Sequence, residues 1–172
     1  MSAAVLLSFE RICYLFIWRK PAAFRYWCAH VGLAWASEPI DALALLFYFF
    51  KALQIIVFGA WCYFVAGGSI WPHDTSVWSL AAGAALIAAG QSLNISVFHR
   101  LGKTGVFYGN KFGYKIPWSR DFPFSFCEHP QYLGALLSIW GFFLIMRFPH
   151  GDWYFLPALE TIYYGVGAYL ER

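Results

Sequence analysis

Glu128, His129 and Tyr132 lie close together in the run FCEHPQYLGALLSIWGFF, where polar chemistry gives way to an uninterrupted apolar stretch. A desolvated carboxylate or imidazole can take a proton from an ammonium group and free its lone pair, which makes Glu128 and His129 the candidate catalytic pair. Pro130 suits the first turn of a helix, because its missing N–H would have no partner there anyway. The spacing therefore predicts a helix beginning at Pro130, with free N–H groups around Gln131, Tyr132 and Leu133 that would attract an anion such as a ligand carboxylate. Glu171, near the end of the sequence, is the carboxylate placed to receive the same ligand's ammonium. A zwitterion carrying something flat fits that pair, which describes a cofactor bearing an amino acid.

The elements that must hold these groups are membrane helices. Of 172 residues, 60% are hydrophobic and 12% charged, which is far from a soluble composition. Aromatic residues make up 22%, with Trp and Tyr gathered near the ends of apolar runs, as at a headgroup boundary. The net charge of +3 suits a surface facing anionic lipid, and no basic stripe of the kind that reads nucleic acid is present. Cys13, Cys28, Cys62 and Cys127 follow no metal-binding spacing and read as free thiols, so no metal is expected. Spanning a bilayer takes about 20 apolar residues. Residues 42–66, 76–98, 131–147 and 153–170 approach that length, and residues 3–18 make a shorter fifth segment that reads as a retained short or interfacial helix. The expected fold class is all-α, a multi-pass membrane bundle of four to five transmembrane helices ending in a hairpin turned at RFPHGD. Residues 1–172 form one domain, with residues 1–39 an N-terminal helix and loop and residues 85–172 the core. Arg19, Lys20 and Arg25, and the group from Arg100 to Arg120, put those loops on the cytoplasmic side, and the GGSIWPHDT loop opposite. Residues 99–132 and 168–172 then meet at one membrane surface.

Polar residues inside the spans either join helices or face a ligand. Gln91 and Asn94 lie one turn apart and suit either role. Lys51, beside Gln54, either snorkels to the interface or contacts a phosphate headgroup. Glu160 reads as a cross-helix partner or a functional carboxylate. Gly102, Gly105, Gly109 and Gly113 step along the sequence among Tyr108 and Phe112, and on one helix face they would pack against a neighbour or a flat ligand. The GKT at Gly102 is not a phosphate loop, since that pattern needs glycine where Val97 stands. The NIS sequon at Asn94 falls inside an apolar span.

The runs GQSLN (Gly90 to Asn94), RLGKTGVFYGNKFGYKIPW (Arg100 to Trp118), FPF (Phe122 to Phe124) and HPQYLG (His129 to Gly134) resemble the phospholipid N-methyltransferases, most closely their plant-type branch. The likeness covers residues 85–172, extends to residues 40–84 through topology and KALQ, and leaves residues 1–39 uninformative. It implies S-adenosylmethionine as cofactor and phosphatidylethanolamine or its mono- and dimethyl derivatives as substrate, at a cytoplasmic-facing site of the endoplasmic reticulum or a bacterial inner membrane. The family's Gly-x-Gly and Glu-Glu positions read Ala88-Ala89-Gly90 and Glu171-Arg172 here, keeping one of two residues each. By this resemblance Gly90, Gly102, Gly105, Tyr108, Gly109, Phe112, Pro130, Tyr132, Gly134 and Glu171 are expected around the cofactor, and Lys51, Gln54, Gln91 and Asn94 around the lipid. His129 stands where phospholipid-type members often carry Asn or Asp, so a prenylcysteine carboxylate or small thiol is an alternative acceptor. A non-catalytic membrane protein, its glycines and hairpin serving packing alone, is the third reading.

Overall fold

Prolines set where three helices of this chain begin, and a serine sets a fourth. The computed structural model describes residues 2–30, 38–72, 74–117 and 119–171, and among them the chain is helical with no strand. Helix α1 spans Ser2–Arg19, α2 Pro21–His30, α3 Pro39–Val65, α4 Val77–Val106, α5 Pro130–Met146 and α6 Phe155–Leu170. Pro21, Pro39 and Pro130 occupy first turns, where a missing N–H costs nothing. Ser76 caps α4 by accepting the Ser79 N–H at 3.1 Å. All five apolar segments read from the sequence are helices, and α2 was not foreseen. His73, Trp118 and Arg172 lie outside the described residues, as do residues 31–37 of the expected N-terminal loop.

Helices α3 and α4 are long and apolar enough to cross a membrane, at 27 and 30 residues. At 1.5 Å per residue α3 runs about 40 Å, and α4 about 38 Å up to the interruption at Gly102. Helices α5 and α6 have 17 and 16 residues, about 25 Å against a hydrocarbon core of about 30 Å. The outer surface carries Trp78, Phe64 and Ile55 at 80%, 78% and 70% exposure, faces that lipid rather than water accommodates.

The tightest packing joins α4 to α5. A Cβ on Gly141 would stand 2.6 Å from the Gly83 carbonyl, and one on Gly134 would stand 2.6 Å from the Gly90 carbonyl. The pairs repeat at a seven-residue interval in antiparallel register, so the two backbones touch along one seam. Helix α1 is not peripheral, as an interfacial helix would be. Its stripe of Leu7, Glu10, Tyr14 and Ile17 is buried against α3 and α6, while Phe9, Ile12 and Phe16 face outward.

The glycine lane is corrected. Gly102 takes φ +64° inside α4 and breaks it, and a short 3₁₀ turn, Gly109–Phe112, follows between Tyr108 at φ +53° and Gly113 at φ +89°. These left-handed residues turn the chain repeatedly, so no single helix face aligns the glycines. The result is a compact loop that aims the Tyr108 ring inward.

Candidate active site

Two chain segments converge on the Glu171 carboxylate at the end of α6. Tyr108, turned inward by the glycine-rich loop, donates its hydroxyl to Oε1 at 2.8 Å, and Tyr132, one turn into α5, donates to Oε2 at 2.6 Å. Both oxygens are thereby oriented, with lone pairs left for a third donor. This is the meeting of residues 99–132 with the end of the chain that the helix count predicted.

The rings of Tyr108 and Tyr132 belong to the wall of a cavity of about 650 Å³ enclosed by α1, α3, α4, α5 and α6. Phe47, Phe98 and Phe107 make much of that wall apolar, and its polar atoms come from a few side chains. Gln91 donates to Ser138 Oγ at 2.9 Å, and the Asn94 Oδ1 is buried without a hydrogen-bond partner. Tyr48 and Ile55 on α3 and Ile95 on α4 line the cavity and are also exposed, which opens it sideways between those two helices.

Deeper along the wall lies a cluster of charges. Lys51 Nζ donates to Gln54 Oε1 at 3.0 Å and to Tyr164 OH at 3.1 Å, and pairs with Glu10 Oε1 at 3.3 Å. Gln54 Nε2 donates to Glu160 Oε1 at 3.0 Å. The Arg11 guanidinium lies 3.6 Å above the Tyr164 ring centroid, a cation–π geometry. Two carboxylates thus balance two cations, which burial in a membrane protein requires.

Of the residues singled out by sequence, Lys51, Gln54, Gln91, Asn94, Tyr108 and Tyr132 line this cavity, and Glu171 is fastened to its wall. The rest lie elsewhere. Gly90 and Gly134 are the backbone contact between α4 and α5, where no ligand could enter. Gly102, Gly105 and Gly109 shape the loop, and Phe112 packs on Phe24 with ring centroids 6.0 Å apart. Pro130 is buried at the start of α5. The expected anion seat there is not free, because the Tyr132 and Leu133 N–H groups both donate to the His129 carbonyl at 3.1 Å. His129 stacks on Tyr132 with centroids 5.6 Å apart, Glu128 is exposed, and neither lines the cavity. Sequence reasoning missed Glu10 and Arg11, although an acid and a base in mid-helix between apolar residues are a functional signal in a membrane span.

The profile of the phospholipid methyltransferase family matches residues 78–171, more than half of the chain. The chain belongs to the phospholipid methyltransferase family. It is accordingly a methyltransferase, and the matched segment contains Tyr108, Tyr132 and Glu171. A phosphatidyl-N-methylethanolamine N-methyltransferase of Arabidopsis thaliana is 30% identical over 125 residues, covering 69% of this chain and 70% of the relative. No solved structure matches.

Proposed function

We propose that this phospholipid methyltransferase transfers a methyl group from S-adenosylmethionine to the headgroup amine of a phosphatidylethanolamine, with the monomethylated lipid as its preferred acceptor. The observation that carries the reading is the convergence of the Tyr108 and Tyr132 hydroxyls on Glu171, at the wall of a cavity that opens sideways through exposed apolar residues. That arrangement joins a charged seat for a soluble cofactor to an entrance for a lipid. The preference for the monomethylated acceptor rests on the resemblance to the plant-type branch and on the name of the Arabidopsis relative.

The residues present fit the cofactor. A cavity of about 650 Å³ falls within the size range of small-molecule sites, and Glu171, its oxygens already oriented, suits an ammonium. Aromatic walls including Tyr108, Tyr132 and Phe107 suit a sulfonium. When bound, S-adenosylmethionine supplies an electrophilic methyl on a good leaving group, so the protein's task is alignment more than activation. Lipid enters between α3 and α4 past Tyr48, Ile55 and Ile95. The amine must lose a proton before its lone pair can attack; His129, outside the cavity lining but stacked on Tyr132 of its wall, is the base assigned to that step. The basic residues Arg19, Lys20, Arg25 and those from Arg100 to Arg120 support reading this end as the cytoplasmic side of a multi-pass bundle, with the shorter α5 and α6 crossing beside α3 and α4.

Purified protein incubated with labelled S-adenosylmethionine tests the assignment on a panel of phosphatidylethanolamine, its monomethyl and dimethyl forms, a prenylcysteine and a small thiol. Label is expected in the phospholipids and most rapidly in the monomethyl form. Label confined to the thiol or carboxylate acceptor overturns it.

A further inference from the structure

Hydrogen bonds are shared unequally among the buried charges on the cavity wall. Lys51 has a partner in each of three directions, Gln54, Tyr164 and Glu10. Arg11 does not. Its Nη2 stands 3.7 Å from Glu10 Oε1 and 4.0 Å from Glu160 Oε2, both beyond hydrogen-bond reach. Its Nε and Nη2 are buried with no hydrogen-bond partner, and only 13% of the side chain is exposed. A guanidinium held out of water with unused donors is costly, and the natural remedy is an oxyanion that takes two of its N–H groups in a fork.

We propose that Arg11 is the phosphate anchor of the acceptor lipid, binding the phosphodiester through its guanidinium edge; this rests on the reading of the acceptor as a phospholipid. The position suits the chemistry. The Arg11 Cζ lies 5.9 Å from the centroid of the Tyr132 ring, whose hydroxyl touches Glu171. A phosphate at Arg11 is therefore one tyrosine ring away from the cofactor end, and the two-carbon link of an ethanolamine headgroup turned that way carries its amine toward the methyl donor. The acyl chains leave by the slot between α3 and α4. Lys51, which the sequence left open between snorkelling and a phosphate contact, neutralises Glu10 and holds the Tyr164 ring beneath the guanidinium. Because Glu10 and Glu160 already balance Arg11 and Lys51, a zwitterionic headgroup enters without adding net charge.

The full chain is assayed in maltoside micelles containing diluted phosphatidyl-N-monomethylethanolamine. Arg11→Gln is expected to raise the lipid KM about 10- to 100-fold, the loss of a charged hydrogen-bonded contact, with little change in kcat. Affinity for S-adenosylhomocysteine stays as in the wild type, and Arg11→Lys recovers part of the lipid KM. The charge-balanced Arg11→Gln/Glu160→Gln protein gives the same rise and guards against misfolding of the single variant. A second arm reads binding without catalysis, as tryptophan fluorescence on titration with dodecylphosphocholine or dodecyltrimethylammonium. The wild type prefers the phosphate-bearing probe and Arg11→Gln loses that preference. Methyl transfer with an unchanged lipid KM and an unchanged probe preference overturns the anchor and leaves the phospholipid acceptor standing. Weaker S-adenosylhomocysteine affinity at unchanged lipid KM also overturns it, giving the anion to the cofactor carboxylate. A wild type that methylates no phospholipid yet prefers dodecylphosphocholine through Arg11 overturns the acceptor reading and keeps the anchor.

Discussion

Replacing Gly90 by alanine separates two accounts of one residue. The family motif makes Gly90 a cofactor contact, whereas in the fold it lies against the backbone of α5. An added Cβ would collide with the Gly134 carbonyl and stand 2.5 Å from Ser138 Oγ and 3.0 Å from the Ser138 nitrogen. Two of these atoms are backbone, so relief requires α4 and α5 to move apart along the seam that also joins Gly83 to Gly141. Overpacking of this kind costs about 1–3 kcal/mol. For a chain of this length that is roughly 2–12 °C in the unfolding midpoint. Gly165, in the middle of α6 with nothing within 4 Å of its hypothetical Cβ, provides the control. There the same substitution removes only the entropic cost of a helical glycine and should stabilise by about 0.5–1 kcal/mol. The assay is thermal unfolding of both variants in maltoside, beside S-adenosylhomocysteine titration below each midpoint. Gly90→Ala is expected to be less stable and Gly165→Ala more stable than the wild type, and any ligand affinity lost by Gly90→Ala should follow its stability. A Gly90→Ala protein that unfolds at the wild-type temperature yet no longer binds S-adenosylhomocysteine refutes the packing account.

Glu171→Gln keeps the shape of the carboxylate and removes its charge, so S-adenosylhomocysteine binding measured by calorimetry should weaken about tenfold or more; unchanged affinity would contradict the ammonium seat. His129→Ala should lower kcat by about a hundredfold or more while leaving cofactor affinity intact, as befits a proton acceptor, and a full kcat in methyl-transfer assays removes it from that role. Lys51→Met strands Glu10 in the interior and should destabilise by about 3–5 kcal/mol. Lys51→Met/Glu10→Gln should regain much of that in a thermal double-mutant cycle, and additive losses would argue against the pairing. At the opposite end of the bundle Arg147 grips Asp152 through two hydrogen bonds of 2.9 and 2.7 Å and holds that carboxyl below the usual range. Its stabilisation is complete above the unfolded carboxylate pKa, about 4, and is lost as pH falls through the depressed folded value. Asp152→Asn should therefore flatten the acid limb of stability against pH, and an identical limb would dissolve the linkage.

The helices were legible because hydrophobic length is a local property. Residues 42–66 and 131–147 could be read as apolar helices directly, with Pro130 marking the start of the second. The convergence on Glu171 was also legible, since the helix count and the basic residues led the sequence reading to bring residues 99–132 and 168–172 together, and Tyr108 and Tyr132 do meet Glu171. The glycines were not. Gly102 and Gly105 share a spacing with helix-packing glycines, but the left-handed conformations of Gly102, Tyr108 and Gly113 depend on how the loop settles over α2 and α3, which periodicity cannot express. Gly90 and Gly134 were visible as small residues, yet only the register of α4 on α5 reveals that they meet each other. Glu10 and Arg11 were visible too, but residues 3–18 read as a retained short or interfacial helix and no site was drawn from them. Its burial is a tertiary fact, although the stripe of Leu7, Glu10, Tyr14 and Ile17 already had a helix-face spacing.

The family match begins at residue 78, and that boundary runs through the cavity wall. Tyr108, Tyr132 and Glu171, proposed to seat the cofactor, fall within it, together with Glu160 and Tyr164. Glu10, Arg11, Lys51 and Gln54, the charged wall deeper in the cavity, fall before it, on α1 and α3. On the reading proposed above, the oriented carboxylate and aromatic wall for the methyl donor come from the matched segment, on the loop after α4 and on α5 and α6. Acceptors differ in headgroup and tail, and the helices that meet them are free to differ as well. On the same reading, selection among acceptors is expected from α1 and α3, through the charges they carry and the side of the slot they form. Exchanging those two helices with a relative of different acceptor preference should move lipid specificity and leave S-adenosylhomocysteine affinity where it was.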